Sequence, residues 1–152
     1  MLQRILVPLD LSERSVAAVP YAYGIVAPEG TVHLLHVIEH AHHPNPLYAH
    51  YTPGRTPSRE ERERQEAEIR AVLAALVPAE AGRRGVRSGI EIAEASQVAE
   101  AIREAAERLD VDAVFLGSHG RGGLARALLG SVAQEVLRCT RRPVLLLRPG
   151  TA

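Results

Sequence analysis

Five glycines lie between Gly117 and Ser131, in the stretch GSHGRGGLARALLGS that directly follows the apolar run AVFL. Glycine permits tight turns and allows a ligand to approach the backbone amides closely. The spacing of Gly117 and Gly120 predicts that their backbone amide groups form one cluster. A second cluster is predicted at Gly130 and Ser131, where the last helix would begin. The free N–H groups and the dipole at the start of a helix attract an anion. This spacing favours phosphate binding, although a glycine turn followed by an ordinary capped helix fits the same pattern.

Lysine is absent from the chain, and all 18 basic residues are arginine. A Walker-A loop needs its lysine to reach the phosphates, so the sequence excludes that class of nucleotide site. Arg121 and Arg126 lie within the glycine stretch and are candidates for neutralising phosphate charge. Simple solvation of these two side chains at the surface is an equally good interpretation.

Predicted strands and helices alternate along the chain. Alternation of helices with near-continuous apolar strands is typical of a parallel sheet that helices cover on both faces. The sequence therefore predicts an α/β fold with a doubly wound, Rossmann-like, five-stranded parallel sheet, as a single domain over residues 1–152. The predicted strands are Ile5–Pro8, Thr31–Ile38, Val86–Ala93, 112–117 and Val144–Leu147.

Local signals place the helices between these strands. Ser12 is predicted to cap the first helix, and Pro20 should kink it because proline removes a backbone hydrogen bond. Capping boxes are predicted at Ser58, with Glu61, and at Ser131, with Gln134. The segment SQVAEAIREAAERLD has apolar residues at helical spacing. The packed stripe of the helix that follows Ser58 is predicted to consist of Ile69, Val72, Leu73 and Leu76.

The residues that could do chemistry follow two of the predicted strands. In doubly wound sheets, ligands bind beyond the carboxyl ends of the strands, at the point where the strand order reverses. Asp10 follows the first strand, and the glycine stretch follows the fourth. If these two strands are neighbours, which the pattern alone leaves open, both features face one crevice. Asp10 is then a candidate ligand for Mg²⁺.

The composition narrows the classes of partner. The formal net charge is +0 and the pI is about 7.1, which disfavours a nucleic-acid partner. No apolar run approaches the roughly 20 residues that span a bilayer. The beginning of the chain, MLQRILVPLD, lacks the charged region and long apolar core of a signal peptide. We therefore expect a cytoplasmic protein without a membrane segment.

The histidines and the one cysteine, Cys139, are the other candidate reactive groups. His33 and His36 are predicted to point to opposite faces of their strand, so they cannot share a metal ion. The histidine-rich segment between Glu39 and Pro57 has no cysteine and no helical ligand spacing, so a loop is favoured over a metal site there. Cys139 falls late in its predicted helix, where a packing role is favoured over a redox role.

The glycine stretch and the segment after it, GSHGRGGLARALLGSVAQEVLRCTRRPVLLLR, resemble the ATP-binding branch of the universal stress protein family, whose signature is G-x2-G-x9-G-[ST]. The segments ILVPLDLSERS and LLHV fall where that family has similar ones. The resemblance implies a strand order of 3-2-1-4-5, which places the first and fourth strands side by side. It also implies that ATP lies in the crevice between them.

The resemblance further implies roles for individual residues. The first-strand residues would line the adenosine end, and Val37 would meet the adenine through its backbone. Residues after the fourth strand would flank the ribose and phosphates, with Arg121 near them, and the start of the last helix would hold the phosphates. The implied site consists of Pro8, Leu9, Asp10, Val37, Leu116, Gly117, His119, Gly120, Arg121, Gly130, Ser131 and Val132.

Three functions fit these observations. The favoured one is an ATP-binding regulatory or stress-response protein with little or no turnover. A slow ATP hydrolase is less favoured, because no carboxylate or nucleophile can be paired with His119 as a base. A stress or scaffold protein that binds no nucleotide is the third. A homodimer through Val144–Leu147 is expected, since an apolar edge strand invites pairing and the family commonly dimerises in this way.

Overall fold

The computed structural model describes residues 1–40, 57–117 and 129–147. Within these residues, five parallel strands form one sheet in the order β3-β2-β1-β4-β5. This confirms the predicted doubly wound fold, and it confirms that β1 and β4 are neighbours. The strands are β1 (Arg4–Pro8), β2 (Thr31–Glu39), β3 (Arg87–Ala95), β4 (Ala113–Gly117) and β5 (Val144–Leu147).

Helices cover both faces of the sheet, as the apolar strands predict. Side chains alternate between the two faces along a strand, so Ile5 and Val7 pack with α2 and α3, whereas Leu6 packs with α4 and α5. No described helix is long and apolar enough to cross a membrane. The helices are α1 (Glu13–Val16), α2 (Ala18–Ile25), α3 (Arg59–Ala75), α4 (Val98–Arg108) and α5 (Ser131–Cys139), with a 3-10 helix at Ala79–Arg84.

Pro20 interrupts the first predicted helix, but the break lies upstream of the proline. The chain leaves α1 at Ala17 and resumes as α2, so two short helices replace the single kinked one. A proline ring clashes with the carbonyl group four residues before it, which here belongs to Val16. The clash therefore divides the helix at the residue that follows Val16.

Helix α3 confirms one local prediction and corrects another. The Ser58 hydroxyl accepts a hydrogen bond from the Glu61 N–H (3.2 Å), and the Glu61 carboxylate accepts one from the Ser58 N–H (2.7 Å), which completes the capping box. Val72, however, is 47% exposed, while Leu73 is fully buried. At 3.6 residues per turn, Val72 lies about 60° from Ile69, on the flank of the stripe that faces the core.

The adjacency of β1 and β4 is fixed at their amino ends by Asp112. Its Oδ2 atom accepts hydrogen bonds from the backbone N–H groups of Gln3 (2.6 Å) and Arg4 (2.8 Å), and its own N–H donates to the Arg4 carbonyl (2.8 Å). Ile5 then pairs with Ala113 in the parallel register. These bonds align the two strands, so that both carboxyl ends reach the same crevice.

His33 packs closely on β3, away from the carboxyl ends of the strands. It lies opposite Gly89 in the β2–β3 register, and a Cβ atom built on Gly89 would overlap the imidazole Nδ1. That Nδ1 atom is buried and has no hydrogen-bond partner within the described part of the chain, and the Glu91 carboxylate is 3.8 Å away. Burial lowers the pKa of His33, and the Glu91 carboxylate partly opposes this effect. Gly89 therefore provides the space that the ring occupies.

Replacing Gly89 with alanine is expected to destabilise the protein by about 1–3 kcal/mol, because the added methyl group would force the His33 ring to move. Gly24→Ala in α2 is the matched control, since no atom lies within 4 Å of its Cβ position. That change should raise stability by a few tenths to about 1 kcal/mol through its helix propensity. Urea unfolding followed by circular dichroism measures both, and a Gly89→Ala protein as stable as wild type would contradict the packing.

Candidate functional site

A cavity of about 830 Å³ opens at the carboxyl ends of β1, β2 and β4. Its walls include the residues that follow β1, the last residues of β2 and the first turn of α5. Every predicted site residue that the structure describes lines it, namely Pro8, Leu9, Asp10, Val37, Leu116, Gly117, Gly130, Ser131 and Val132. His119, Gly120, Arg121 and Arg126 lie outside the described residues. The structure thus brings the predicted residues of three strands and one helix to a single cavity.

The chain turns sharply where β1 reaches the cavity. Leu11 has a φ of 62°, in the left-handed region that non-glycine residues seldom adopt. The Asp10 Oδ1 atom accepts hydrogen bonds from the Ser12 N–H (3.0 Å) and hydroxyl (2.6 Å). Ser12 in turn accepts from the Ser15 N–H, which confirms its predicted role as the N-cap of α1. The Asp10 carboxylate is therefore anchored at the cavity wall by the start of α1.

Strand β2 extends beyond β1 at the cavity. Pro8 is the last β1 residue in the ladder, where it pairs with Leu35, and the Leu9 N–H then donates to the Leu35 carbonyl (2.8 Å). Alternate residues of a strand direct their backbone groups to the same side, so those of Val37 point in the same direction as those of Leu35. Strand β1 no longer pairs at that level. The Val37 backbone groups therefore face the cavity instead of a neighbouring strand.

His36 fixes the position of Leu9, a role that the sequence analysis missed. Its Nδ1 atom lies 2.8 Å from the Leu9 carbonyl oxygen, and its side chain lines the cavity. Leu9 is thus bonded to β2 through both its N–H and its C=O. Only the strand register reveals this contact, because the two residues are distant in sequence; the motif LLHV contains the histidine but not its partner.

Gly117 at the end of β4 is predicted to admit a ligand, but its close neighbour in the structure is helix α1. A Cβ atom on Gly117 would lie 2.8 Å from the Arg14 carbonyl oxygen of α1, a contact that the backbone cannot relieve cheaply. Gly130 has a φ of −58°, and Gly85 is the one glycine with a positive φ among the described residues. Neither Gly117 nor Gly130 therefore has a positive φ. Gly117 is required because α1 approaches β4 closely.

The start of α5 also differs from the prediction. Gly130 is the N-cap, Ser131 is the first helical residue, and no side chain of the described residues makes a capping bond there. Because the helix begins one position earlier than predicted, Ser131 cannot cap it. The Gln134 side chain, expected to complete a capping box, instead donates to the Leu129 carbonyl (2.7 Å). Among the described residues, no side-chain acceptor therefore caps the first N–H groups of α5 at the cavity wall, which is a favourable place for an anion.

A smaller groove of about 330 Å³ lies between the end of β3 and α4. Glu94, Glu100 and Glu104 line it together with Arg108. Three carboxylates against one guanidinium disfavour a phosphate group electrostatically. The groove and the larger cavity each adjoin a helix start at which, within the described part of the chain, the N-cap residue makes no side-chain bond, α4 and α5 respectively. The larger cavity has two lining carboxylates, Asp10 and Glu39, and it is the one that contains the predicted residues.

His40 and Cys139, the other reactive side chains discussed above, do not line the larger cavity. Within residues 1–40, 57–117 and 129–147, no group of three or more histidine, cysteine or acidic side chains is arranged to hold a metal ion. His40 contacts the Glu94 carboxylate at 3.1 Å, whereas most of the segment between Glu39 and Pro57 lies outside the described residues. Burial raises the pKa of the Cys139 thiol. A raised pKa disfavours the reactive thiolate and agrees with a packing role.

Comparison with known sequences identifies a family. The model of the universal stress protein family matches residues 1–148 of this chain. Universal stress protein Rv2005c of Mycobacterium tuberculosis is 57% identical over 35 residues, or 23% of this chain and 12% of the relative. Universal stress protein MJ0577 of Methanocaldococcus jannaschii is 41% identical over 49 residues, or 32% of this chain and 30% of the relative. The matched segments thus span less than a third of either curated relative.

Solved structures share the fold over nearly the whole chain. The structure of MJ0577 has a TM-score of 0.70 at 25% identity and covers 99% of this chain and 98% of its own. A universal stress protein family member from Burkholderia pseudomallei has a TM-score of 0.68 at 28% identity and covers 95% of both chains.

Two more distant structures contain nucleotides. One is a universal stress protein in complex with cAMP, with a TM-score of 0.63 at 21% identity, covering 98% of both chains. The other is the Archaeoglobus fulgidus universal stress protein in complex with dAMP, with a TM-score of 0.60 at 18% identity, covering 96% of this chain and 98% of that one. At these identities, the likeness shows the fold that the proteins have in common.

Two serines should respond differently to replacement by alanine. Ser12→Ala removes the cap of α1 and a partner of Asp10, so it should lower the free energy of unfolding by about 1 kcal/mol. Ser131→Ala removes no capping bond and should change stability by less than about 0.5 kcal/mol. Urea denaturation of the two variants beside wild type measures the difference. A Ser131→Ala loss as large as that of Ser12→Ala would show that Ser131 does cap α5.

Proposed function

The chain belongs to the universal stress protein family, and we propose that it binds an adenine nucleotide, ATP, in the cavity at the carboxyl ends of β1, β2 and β4. We propose further that it acts as a nucleotide-dependent regulatory protein in a stress response, with little or no turnover. The cAMP and dAMP complexes of two structural neighbours support adenine nucleotides as the class of ligand.

The observation that carries the proposal is that one cavity contains complementary groups for both ends of a nucleotide. At one end, the Val37 backbone faces a gap beside β2, where the edge of a base can form hydrogen bonds as a strand would. At the other end, the first N–H groups of α5 have no side-chain cap. A volume of about 830 Å³ falls in the range typical of small-molecule sites.

In the proposed complex, the residues after β1 line the adenosine, and the start of α5 holds the phosphates. Mg²⁺ accompanying a triphosphate prefers oxygen ligands, and Asp10 and Glu39 are the described carboxylates that line the cavity. Little turnover is proposed because the Asp10 carboxylate accepts hydrogen bonds from Ser12 at the start of α1. These bonds commit Oδ1 to the start of α1, so we assign this carboxylate an anchoring role.

Isothermal titration with ATP and with adenosine tests the proposed placement of the phosphates. Ser131→Ala is expected to weaken ATP binding by roughly threefold to tenfold, because the phosphates lose one hydroxyl donor, while adenosine binding stays unchanged. Val72→Ala, an exposed change on α3 outside the cavity lining, is the matched control and should leave both affinities unaltered.

Mass spectrometry of the nucleotide released from purified protein complements the titration. Protein that carries no nucleotide and shows no heat with ATP, ADP or AMP would rule out the proposed function. Equal weakening of ATP and adenosine in Ser131→Ala would retain a nucleotide site but place the phosphates away from α5.

We also propose a homodimer through β5. This strand is at the edge of the sheet, and it pairs only with β4 among the described strands. Its sequence is apolar throughout, and Leu146 is 41% exposed. A bare apolar edge strand pairs readily with a second chain, and two copies related by a two-fold axis would cover both edges.

Leu146→Glu is expected to convert the dimer into a monomer, since it would place two carboxylates in the paired interface. Val72→Glu is the control, because it introduces the same charge at a similarly exposed apolar position on α3. Size-exclusion chromatography with light scattering measures the mass at micromolar concentration. The dimer proposal would fail for a wild-type protein that is monomeric there, or for a Leu146→Glu variant that remains dimeric.

A further inference from the structure

We propose that His36 makes the cavity selective for a purine that carries a 6-amino group, while it also positions Leu9 at the cavity wall. The inference rests on the proposed nucleotide site and adds to it the side chain that distinguishes adenine from other purines. Its basis is the hydrogen bond between His36 and the Leu9 carbonyl, together with the place of His36 in the cavity lining.

The bond to Leu9 determines which nitrogen of the His36 ring carries the proton. Nδ1 lies 2.8 Å from the Leu9 carbonyl oxygen, and a carbonyl oxygen can only accept a hydrogen bond. Nδ1 must therefore be the donor. In the neutral imidazole, Nε2 then has a lone pair and acts only as an acceptor.

The acceptor that this tautomer creates belongs to a side chain of the cavity lining. His36 directly precedes Val37, whose backbone groups face the gap beyond the end of β1. The hydrogen bond to Leu9 is the one that the structure shows for the His36 side chain among the described residues. In the proposed complex, the Nε2 lone pair would face the edge of the base that meets β2.

An acceptor-only group distinguishes purines by their substituent at position 6. The amino group of adenine donates a hydrogen bond, whereas the oxo group of hypoxanthine or guanine accepts one and would place two lone pairs against each other. Sites built to bond a polar group reject analogues that lack it, because the partner in the site is left unpaired. His36 therefore favours adenine and disfavours 6-oxopurines.

Two substitutions separate the acceptor from the bond that positions Leu9. In His36→Asn, the amide nitrogen stands where Nδ1 stands and keeps the donor for Leu9, but nothing replaces Nε2. In His36→Gln, the longer amide places an oxygen near the Nε2 position, while the bond to Leu9 is weakened. His33→Asn is the matched control, since it makes the same change on the same strand but on the opposite face, where His33 packs on Gly89.

The experiment compares the affinities of ATP and of purine riboside 5′-triphosphate, which lacks only the 6-amino group, by isothermal titration. Wild type and His33→Asn are expected to prefer ATP by roughly tenfold to a hundredfold, because the 6-amino group has two hydrogens, one for Nε2 and one for the Val37 carbonyl. His36→Asn should lower this ratio by about tenfold, the value of about one hydrogen bond, with little change in the melting temperature. His36→Gln should weaken both nucleotides while it keeps the ratio.

A His36→Asn protein that keeps the wild-type ratio would overturn the inference and leave the proposed function intact. The inference would also fail if His33→Asn lowered the ratio as much as His36→Asn, because the effect would then arise from strand β2 as a whole. Wild-type protein that binds neither nucleotide would overturn the proposed function and this inference together. A role for His36 in positioning alone would change both affinities in proportion and leave the ratio unaltered.

Discussion

Strand β1 leaves the sheet before its neighbour β2 does, and the cavity exists because of this difference in length. The β1–β2 ladder ends where Pro8 pairs with Leu35, whereas β2 continues to Glu39 along β3. Where one strand of a parallel sheet extends beyond the end of its neighbour, its backbone groups on the side of that neighbour have no strand to bond with. Such groups need water or a ligand, so the end of β1 both creates the space and provides the polar surface that lines it.

The turn that ends β1 is stabilised from three directions. Leu9 is bonded to β2 through Leu35 and His36, and Asp10 accepts from Ser12 at the start of α1. Helix α1 in turn lies so close to β4 that a side chain at Gly117 would collide with its backbone. The left-handed backbone of Leu11, which costs of order 1 kcal/mol, is tolerated because the surrounding contacts leave the chain no other path.

The sequence predicts the parts of this arrangement that depend on local physics. The capping box of Ser58 and Glu61 forms because both partners lie within one helical turn. Strand order is different, because the residues that set it, such as Asp112 bonding to Gln3, are far apart in the chain. The predicted order came from a family resemblance, and the sheet confirms it. The link from His36 to Leu9 could not be predicted, since it depends on the register of two strands.

Ser131 does not cap α5 as predicted, and the missing cap makes the start of this helix suitable for a ligand. A serine at the N-cap would have bonded an N–H group of the first turn and reduced its attraction for an anion. With Gly130 at the cap, that turn has no side-chain acceptor among the described residues and is less stable by roughly a few tenths of a kcal/mol than one with a serine cap. A ligand that binds only the folded state stabilises it by mass action. In the proposed complex, the phosphates would therefore supply the acceptor that the sequence leaves out, and nucleotide binding and the stability of α5 would be coupled.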